Sequence, residues 1–402
     1  MHVLVGIAGL VVFLALAFLP SRDVGMLKKK APYIGIMLAL QFVLGLLMLR
    51  TGVGQAVISV IAAVFETLLG YAREGVSFVF GGLIDVEADG SGPFIFTSLM
   101  PIIVISALIG ILQYLRILPL VIRGVGLVLS KVTGLGKLES FNAVSSAMIG
   151  QSENLIAIKR ILPTLPEHRL YTIAASAMST VSMSIVGAYM TMIEPRYVVA
   201  AIVLNLFGAF IVVSLLNPYT LTEEEDVIVE PEHSKQSFFQ VLGEYITDGG
   251  KVVLSVVAML VGFVALMAIL NGIFDSVLGI SFQQLLGYVF APLAVLTGVP
   301  ISESVDVGRL MATKLISNEF VAMLSFTDAN PGGKLELSAR ATAIAQTFLV
   351  SFANFSSIGI IAGAAKSLAP EQGETIARFG LRLLYGATLV SFVSATVVGI
   401  IV

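Results

Sequence analysis

Apolar runs of about twenty residues, separated by short clusters of charge, recur along the whole of this 402-residue chain. No motif constrains the fold as strongly. A run that long and that apolar must satisfy its backbone N–H and C=O groups without water, and a helix does so within one segment. Composition agrees: 57% of the residues are hydrophobic and 12% charged, where a soluble domain carries about 25% charge. The expected fold class is an all-α polytopic membrane protein. The chain has no cysteine, which removes disulfides, thiolate metal sites and a cysteine nucleophile. Its three histidines, His2, His168 and His233, are scattered and argue against a histidine metal site. The net charge is −3 and no basic cluster stands out, so nothing suggests nucleic acid.

Spanning helices are expected near residues 3–19, 33–49, 94–112, 170–193, 197–216, 252–270, 341–365 and 379–401. The positive charges Arg22, Lys28, Lys29 and Lys30 follow the first run. It therefore reads as a retained span with its N-terminus outside, not as a signal peptide. A weaker amphipathic stretch, 54–71 with Glu66, leads through Arg73 and Glu74 to residues 76–84 and an acidic loop with Asp85, Glu87 and Asp89; both fit the external side. Arg116, Arg123, Lys131 and Lys137 are spaced through and around residues 117–135, as in a helix lying on the cytoplasmic interface. Glu223, Glu224, Glu225, Asp226, Glu230 and Glu232 form an acidic loop between two halves.

Residues 138–162 break the pattern. Ser145-Ser146-Ala147-Met148-Ile149 runs into Gly150-Gln151-Ser152-Glu153-Asn154, with Lys137 at one end and Lys159-Arg160 at the other. Both ends are cytoplasmic by the positive-inside rule. A segment this short, with glycine in its middle, fits a re-entrant hairpin with its tip at residues 150–153, ended by Pro163 and Pro166. The next span has Ser176, Ser179, Thr180, Ser182 and Ser184 at its centre, which means either an unwound, cavity-facing stretch or close packing through small residues. The second half repeats the order. Residues 282–299 and 305–323 read as another hairpin pair, broken at Gly298-Val299-Pro300-Ile301-Ser302-Glu303 and carrying Asn318-Glu319; residues 341–365 then have Ser351-Phe352-Ala353-Asn354 at their centre. An odd number of spans between the copies inverts one relative to the other. Paired interrupted segments of this kind point to a transporter's midplane site.

Carboxylates inside a membrane cost several kcal/mol and are functional candidates by default. Glu153 and Glu319 each stand beside amides and hydroxyls. Without a fixed cation such a carboxylate accepts hydrogen bonds from a neutral polar substrate, or takes up a proton. Gln151 and Asn354 offer donors and acceptors together, suited to a base edge or a sugar hydroxyl. For Glu319 a helix-cap or interhelical role stays open, and Phe352 is either a core aromatic or the wall of a base site. Glu303, Asp306, Arg309 and Lys314, at helical spacing, read as a structural ion-pair face or a gate.

Gly150-Gln151-Ser152-Glu153, Asn318-Glu319-Phe320-Val321-Ala322 and Phe352-Ala353-Asn354-Phe355-Ser356-Ser357 resemble the three signature motifs of the concentrative nucleoside transporters. The order of segments matches over nearly the whole chain. The flanking residues 139–146 and 178–189 are similar to the bacterial NupC-type branch. The resemblance implies about eight transmembrane helices with two re-entrant hairpins in inverted repeats, a homotrimer in the lipid bilayer, and an elevator motion of a transport domain against a scaffold. Gln151, Ser152 and Glu153 would contact the base of a nucleoside such as uridine, adenosine or cytidine, with Ile185 and Phe352 packed on it. Glu319, Asn354 and Ser357 would hold the ribose. Sodium-coupled members have asparagine where this chain has Ser146; the rest of their ion site maps to Ile149, Thr180 and Val181. The substitution and the NupC-type likeness favour a proton over sodium as the coupling ion, with Glu153 or Glu319 as its carrier, and no other cofactor is implied.

The implied divisions are residues 1–112 (scaffold with the external amphipathic helix), 113–216 (interfacial helix, first hairpin and transport helices), 217–250 (cytoplasmic acidic loop), 251–275 (scaffold helix) and 276–402 (second hairpin and transport helices). The setting is a bacterial inner membrane with both termini outside the cytoplasm. Other classes fit less well. An intramembrane serine protease needs a buried histidine, an aspartyl protease needs paired intramembrane aspartates, and a primary pump needs a phosphate loop. The remaining alternative is a symporter for another polar solute such as an amino acid, which would want a cationic partner for its carboxylate.

Overall fold

The computed structural model describes residues 2–21, 23–81, 92–222, 226, 236–327 and 333–402, and every regular element among them is helical. Arg22, the acidic loop with Asp85, Glu87 and Asp89, and most of the run from Glu223 to His233 lie outside the described residues. Seven helices among the described residues are long and apolar enough to cross a membrane.

The chain begins with α1 (His2–Phe18), α2 (Val24–Arg50), α3 (Gly52–Phe80) and α4 (Pro101–Tyr114), the last entered through a wide turn at Ile95–Leu99. Helix α2 starts well before the expected residue 33 because Asp23 caps it, its Oδ1 accepting from Met26 N at 2.9 Å. The region expected as two pieces, 54–71 and 76–84, is one helix of 29 residues. Arg73 and Glu74 interrupt the hydropathy but are good helix formers. Its buried stripe is Gly54, Ile58, Phe65, Leu69, Ala72 and Val76, while Val57, Val60, Val64 and Phe78 are exposed. That pattern matches an amphipathic helix with an apolar outer face, although its length and hydropathy equally allow a span.

Two copies of one motif follow. The first consists of α5 (Ile117–Thr133), α6 (Lys137–Ile149), α7 (Glu153–Ala157), α8 (Glu167–Ser179), α9 (Met183–Met192) and α10 (Pro195–Leu216). The long α11 (Phe238–Leu278) then crosses. The second copy is α12 (Phe282–Leu296), α13 (Ser304–Ile316), α14 (Glu319–Met323), α15 (Ala339–Leu349), α16 (Phe355–Leu368), a short α17 (Pro370–Arg378) and α18 (Gly380–Ile401). Helices α6 and α13 both have 13 residues, α7 and α14 both 5, and α10 and α18 both 22. The inverted repeat is therefore built element by element, with α17 as an insertion.

One expected boundary is wrong. The Gly298–Glu303 region is indeed a turn, and α12 packs against α13 across it. Small residues allow the approach: a Cβ on Gly308 would lie 2.6 Å from Gly287 O. However, residues 305–323 are not one helix. The polar break falls at Ser317-Asn318, between α13 and α14, so α12 corresponds to α5, and the second hairpin tip is α13 to α14. The cause is the Asn318 side chain, whose Oδ1 caps α14 by accepting from Val321 N at 3.0 Å.

Burial separates the helices. The most apolar windows of α10 and α18 are 83% and 78% buried, that of α11 only 17%. Helix α11 runs 41 residues, starting at a capping box of Ser237 and Gln240, well ahead of the expected residue 252. At the base of the first hairpin, Arg169 Nε donates to Glu139 Oε1 at 2.6 Å and Nη2 to Oε2 at 3.0 Å, with Glu139 wholly buried. Tyr219 OH adds a third bond to Glu139 at 3.0 Å. Burial, followed by that carboxylate, pushes the Tyr219 phenol well above its usual range. Replacing Arg169 with methionine strands a buried carboxylate. We expect a loss of about 3–5 kcal/mol, read as a lowered melting temperature of the purified protein. Arg169→Met melting with the wild type would contradict this account of the hairpin base.

Candidate functional site

The first hairpin tip depends on Gly150. Its φ is +122°, a region side-chain-bearing residues rarely adopt, and a Cβ there would lie 2.4 Å from Glu153 Oε2. The glycine ends α6, frees Gln151 and Ser152, and lets α7 begin at Glu153. Gln151 Nε2 lies 3.5 Å from Ser357 Oγ, while its Oε1 is buried without a partner. Glu153 and Ser152 are half-buried, and no side chain among the described residues bonds the Glu153 carboxylate. Behind the tip, Asn154 Nδ2 donates to Asn142 Oδ1 at 3.0 Å and also to Ser146 Oγ.

The second tip has a different character. Glu319 is the first residue of α14 and is buried. Its Oε1 accepts from Tyr189 OH at 2.7 Å and its Oε2 from Asn354 Nδ2 at 3.0 Å. Asn354 also caps α16: its Oδ1 accepts from Ser357 N at 2.9 Å and Ser356 Oγ at 2.7 Å. Each polar atom of Asn354 is thereby used, and its amide faces the carboxylate. Tyr189 was not among the residues chosen from sequence. Its hydroxyl is the signal, since a tyrosine this deeply buried needs a partner.

Both polar-centred spans are unwound, as their hydroxyls and amides suggested. Between α8 and α9 the chain is extended at Thr180 and Ser182; between α15 and α16 it is extended at Asn354. The two breaks meet: Phe352 N donates to Thr180 O at 3.1 Å. Three carbonyls at the second break have partners. Lys314 Nζ donates to Phe348 O at 2.6 Å, Ser351 N to Leu349 O at 2.8 Å, and Asn205 Nδ2 to Val350 O at 2.5 Å. Ile185, in the first turn of α9, is buried in the main apolar cluster, and the half-buried Phe352 packs on that cluster. The fold thus gathers Gln151, Ser357, Glu319 and Asn354 through direct bonds, while Ile185 and Phe352 both belong to the main apolar cluster.

The candidate sodium ligands have protein partners. Ser146 Oγ accepts from Asn154, Ile149 O from Ser182 Oγ at 3.4 Å, and Thr180 O from Phe352 N. Thr180 Oγ1 donates to Ala177 O at 3.2 Å. Among the described residues no group of His, Asp and Glu side chains is placed to hold a metal.

The expected ion-pair face on α13 is only partly right. Glu303 accepts from Ser338 N and Ser338 Oγ, both at 2.6 Å, and Arg309 pairs with Asp306 at 3.2 Å. Lys314 does not join them. It is 1% exposed, pointing into the protein, because α15 and α18 supply its partners.

Family models agree with this arrangement. Those for the N-terminus and C-terminus of the Na+ dependent nucleoside transporter match residues 8–83 and 197–399, and one for nucleoside recognition matches 95–196. The chain belongs to the concentrative nucleoside transporter family, and so is a multi-pass membrane transporter and not an enzyme. It is 37% identical to the purine nucleoside transport protein NupG of Bacillus subtilis (strain 168), over 100% of both chains. It superposes on CNTnw in an inward-facing substrate-bound state with a TM-score of 0.90 at 28% identity, covering 100% of this chain and 98% of that one. A CNTnw variant in an outward-facing state matches with a TM-score of 0.90 at 29% identity, over 100% and 98%.

Proposed function

We propose that this protein takes up nucleosides by proton-coupled symport, moving its hairpin-bearing domain across the membrane as an elevator. The carrying observation is the unlike surroundings of its two tip carboxylates. Glu319 is gripped by Tyr189 and Asn354, as suits a fixed acceptor for a ribose diol. Glu153 has no such clamp and stands beside the unpartnered Gln151 Oε1, as suits a base edge and a group that takes up and releases a proton. In this reading Gln151, Ser152 and Glu153 face the base, Ile185 and Phe352 pack on it, and Glu319, Asn354 and Ser357 hold the sugar. The protein partners already held by Ser146, Ile149 and Thr180 support the proton over sodium.

A neutral substrate fits better than an amino acid. The lysine nearest the site, Lys314, has its bonds taken by the protein and offers nothing to a substrate carboxylate. The scaffold would be α1 to α4 with α11; the moving domain would be α5 to α10 with α12 to α18. Exposed apolar side chains on α2, α3 and α11 suit lipid and the partners of a homotrimer. The inward-facing, outward-facing and intermediate states of CNTnw support the elevator. Basic residues beside the first span favour a bacterial inner membrane with both termini outside. The purine name of the B. subtilis relative supports adenosine within the expected range of uridine, adenosine and cytidine. Competition against labelled uridine uptake in proteoliposomes tests the reading: adenosine and cytidine should inhibit and amino acids should not. Amino-acid uptake without uridine uptake would overturn it.

A further inference from the structure

The first hairpin carries buried polar atoms that the transport reading does not use. Asn142, Ser145, Asn154 and Ser176 are each at most 1% exposed. Each leaves one atom without a hydrogen-bond partner among the described residues: Asn142 Nδ2, Ser145 Oγ, Asn154 Oδ1 and Ser176 Oγ. Buried polar groups are nearly always paired, so four such atoms on one hairpin and its neighbouring helix require a cause.

The helices bring them together. Helix α6 packs against both α7 and α8. At the base Glu139 of α6 holds Arg169 of α8. Ser176 comes seven residues after Arg169, two turns further along the same face, and so looks toward α6. Ser146 stands in the same relation to Glu139 and looks toward α8. Both helices run away from the ion pair, which brings these two positions level. At that level Asn154 of α7 reaches across, its Nδ2 donating to Asn142 Oδ1 at 3.0 Å and to Ser146 Oγ. Asn142 and Ser145 lie three residues apart on α6, as neighbours on its surface. Nearer the tip, Ser182 Oγ donates to Ile149 O at 3.4 Å. The hairpin is thus tied by an ion pair at its base and by a hydroxyl near its tip, and the unpartnered atoms fall between the two ties.

The chemistry left over identifies the occupant. As bonded, the two amides leave one donor, Asn142 Nδ2, and one acceptor, Asn154 Oδ1. Turning both amides over exchanges the roles and again leaves one of each. A cation takes acceptors only, and an apolar group satisfies neither. Water donates and accepts, and it needs two to four polar partners. The hydroxyls of Ser176 and Ser145 serve in either sense.

We propose that an ordered water sits between α6, α7 and α8, accepting from Asn142, donating to Asn154 and bonded to Ser176. It joins the first hairpin to α8 midway between the Glu139–Arg169 pair and Ser182. Of the residues weighed as sodium ligands only Ser146 borders this site, and its Oγ is bonded to Asn154.

Ser176→Ala tests the proposal by sign. The substitution takes a partner from a buried water and should lower the melting temperature of the purified protein by about 1–3 °C. An unchanged or raised melting temperature would overturn the proposal, since removing a hydroxyl that has no partner costs nothing. A double-mutant cycle gives the second check. Asn142→Leu keeps the bulk of the side chain without its polar atoms. In that background Ser176→Ala should lower the melting temperature by less than half as much, because the two residues do not bond each other and are coupled through the same water. Equal losses in both backgrounds would overturn the shared site. Where Asn142→Leu does not fold, the sign of the single variant decides alone. Exchanging sodium for choline separates water from an ion: the wild type and Ser176→Ala should respond alike. A stabilisation by sodium that Ser176→Ala abolishes would put a cation at the site and overturn the water.

Discussion

Glu319→Gln is expected to lower uridine uptake at least about a hundredfold while the protein remains folded. The carboxylate accepts from Tyr189 OH at 2.7 Å and Asn354 Nδ2 at 3.0 Å, and each oxygen has a further lone pair to offer a sugar hydroxyl. Glutamine keeps the shape but turns one acceptor into an NH2 donor. That group meets a donor on the protein side, either the tyrosine hydroxyl or the asparagine amide. Hydrogen bonds to a charged group are worth about 1.5–3 kcal/mol each, so losing the charge and reversing one polarity together account for the expected factor. Asn354 amplifies the effect, since the same side chain caps α16 through Ser357 N; if it rotates to find a new acceptor, the helix start loosens with it. Uptake and equilibrium binding measured on the same preparation check the result. Wild-type binding by Glu319→Gln would remove this residue from the proposed site.

Glu153→Gln should fail in another way. This carboxylate begins α7 with no side-chain clamp, two residues after Gln151, whose Oε1 is unpartnered. Glutamine there resembles the permanently protonated acid. Net uptake driven by a pH gradient should fall to background, about a hundredfold or more below the wild type, because the proton can no longer be released on the inside. Exchange of internal for external uridine does not require that release and should survive better than net uptake. The separation between the two assays is the signature. Net uptake at the wild-type rate would take the proton off Glu153; equal loss of both activities would make Glu153 a contact for the base alone.

Sequence and structure part company at identifiable residues. The first hairpin was legible because Gly150-Gln151-Ser152-Glu153 interrupts an apolar run and basic residues flank it. The second tip was misplaced because Gly298 and Pro300 are stronger local turn signals than Ser317-Asn318. Those signals do mark a turn, but the site lies at the break made by the Asn318 cap, which has no glycine or proline to announce it. Helix α11 was cut short because residues 217–250 read as one cytoplasmic acidic loop; Asp248 and Lys251 form an ion pair at 2.7 Å on an exposed helix face instead. Lys314 was assigned to a structural ion-pair face or a gate because helical spacing describes only its own helix. Its real partners, Phe348, Ser351 and Ser391, come from elements that local pattern does not connect. The same holds for Gln151 and Ser357, 206 residues apart. Their juxtaposition followed from motif resemblance, not from periodicity or charge.

Uptake of labelled uridine into proteoliposomes under separately imposed proton and sodium gradients tests the coupled-transport account most directly. Accumulation above equilibrium with an inward proton gradient, unchanged by adding or removing sodium, is the predicted result. Accumulation driven by sodium at uniform pH and indifferent to a pH gradient would contradict it, and would mean that Ser146, Ile149 and Thr180 serve an ion despite their present partners.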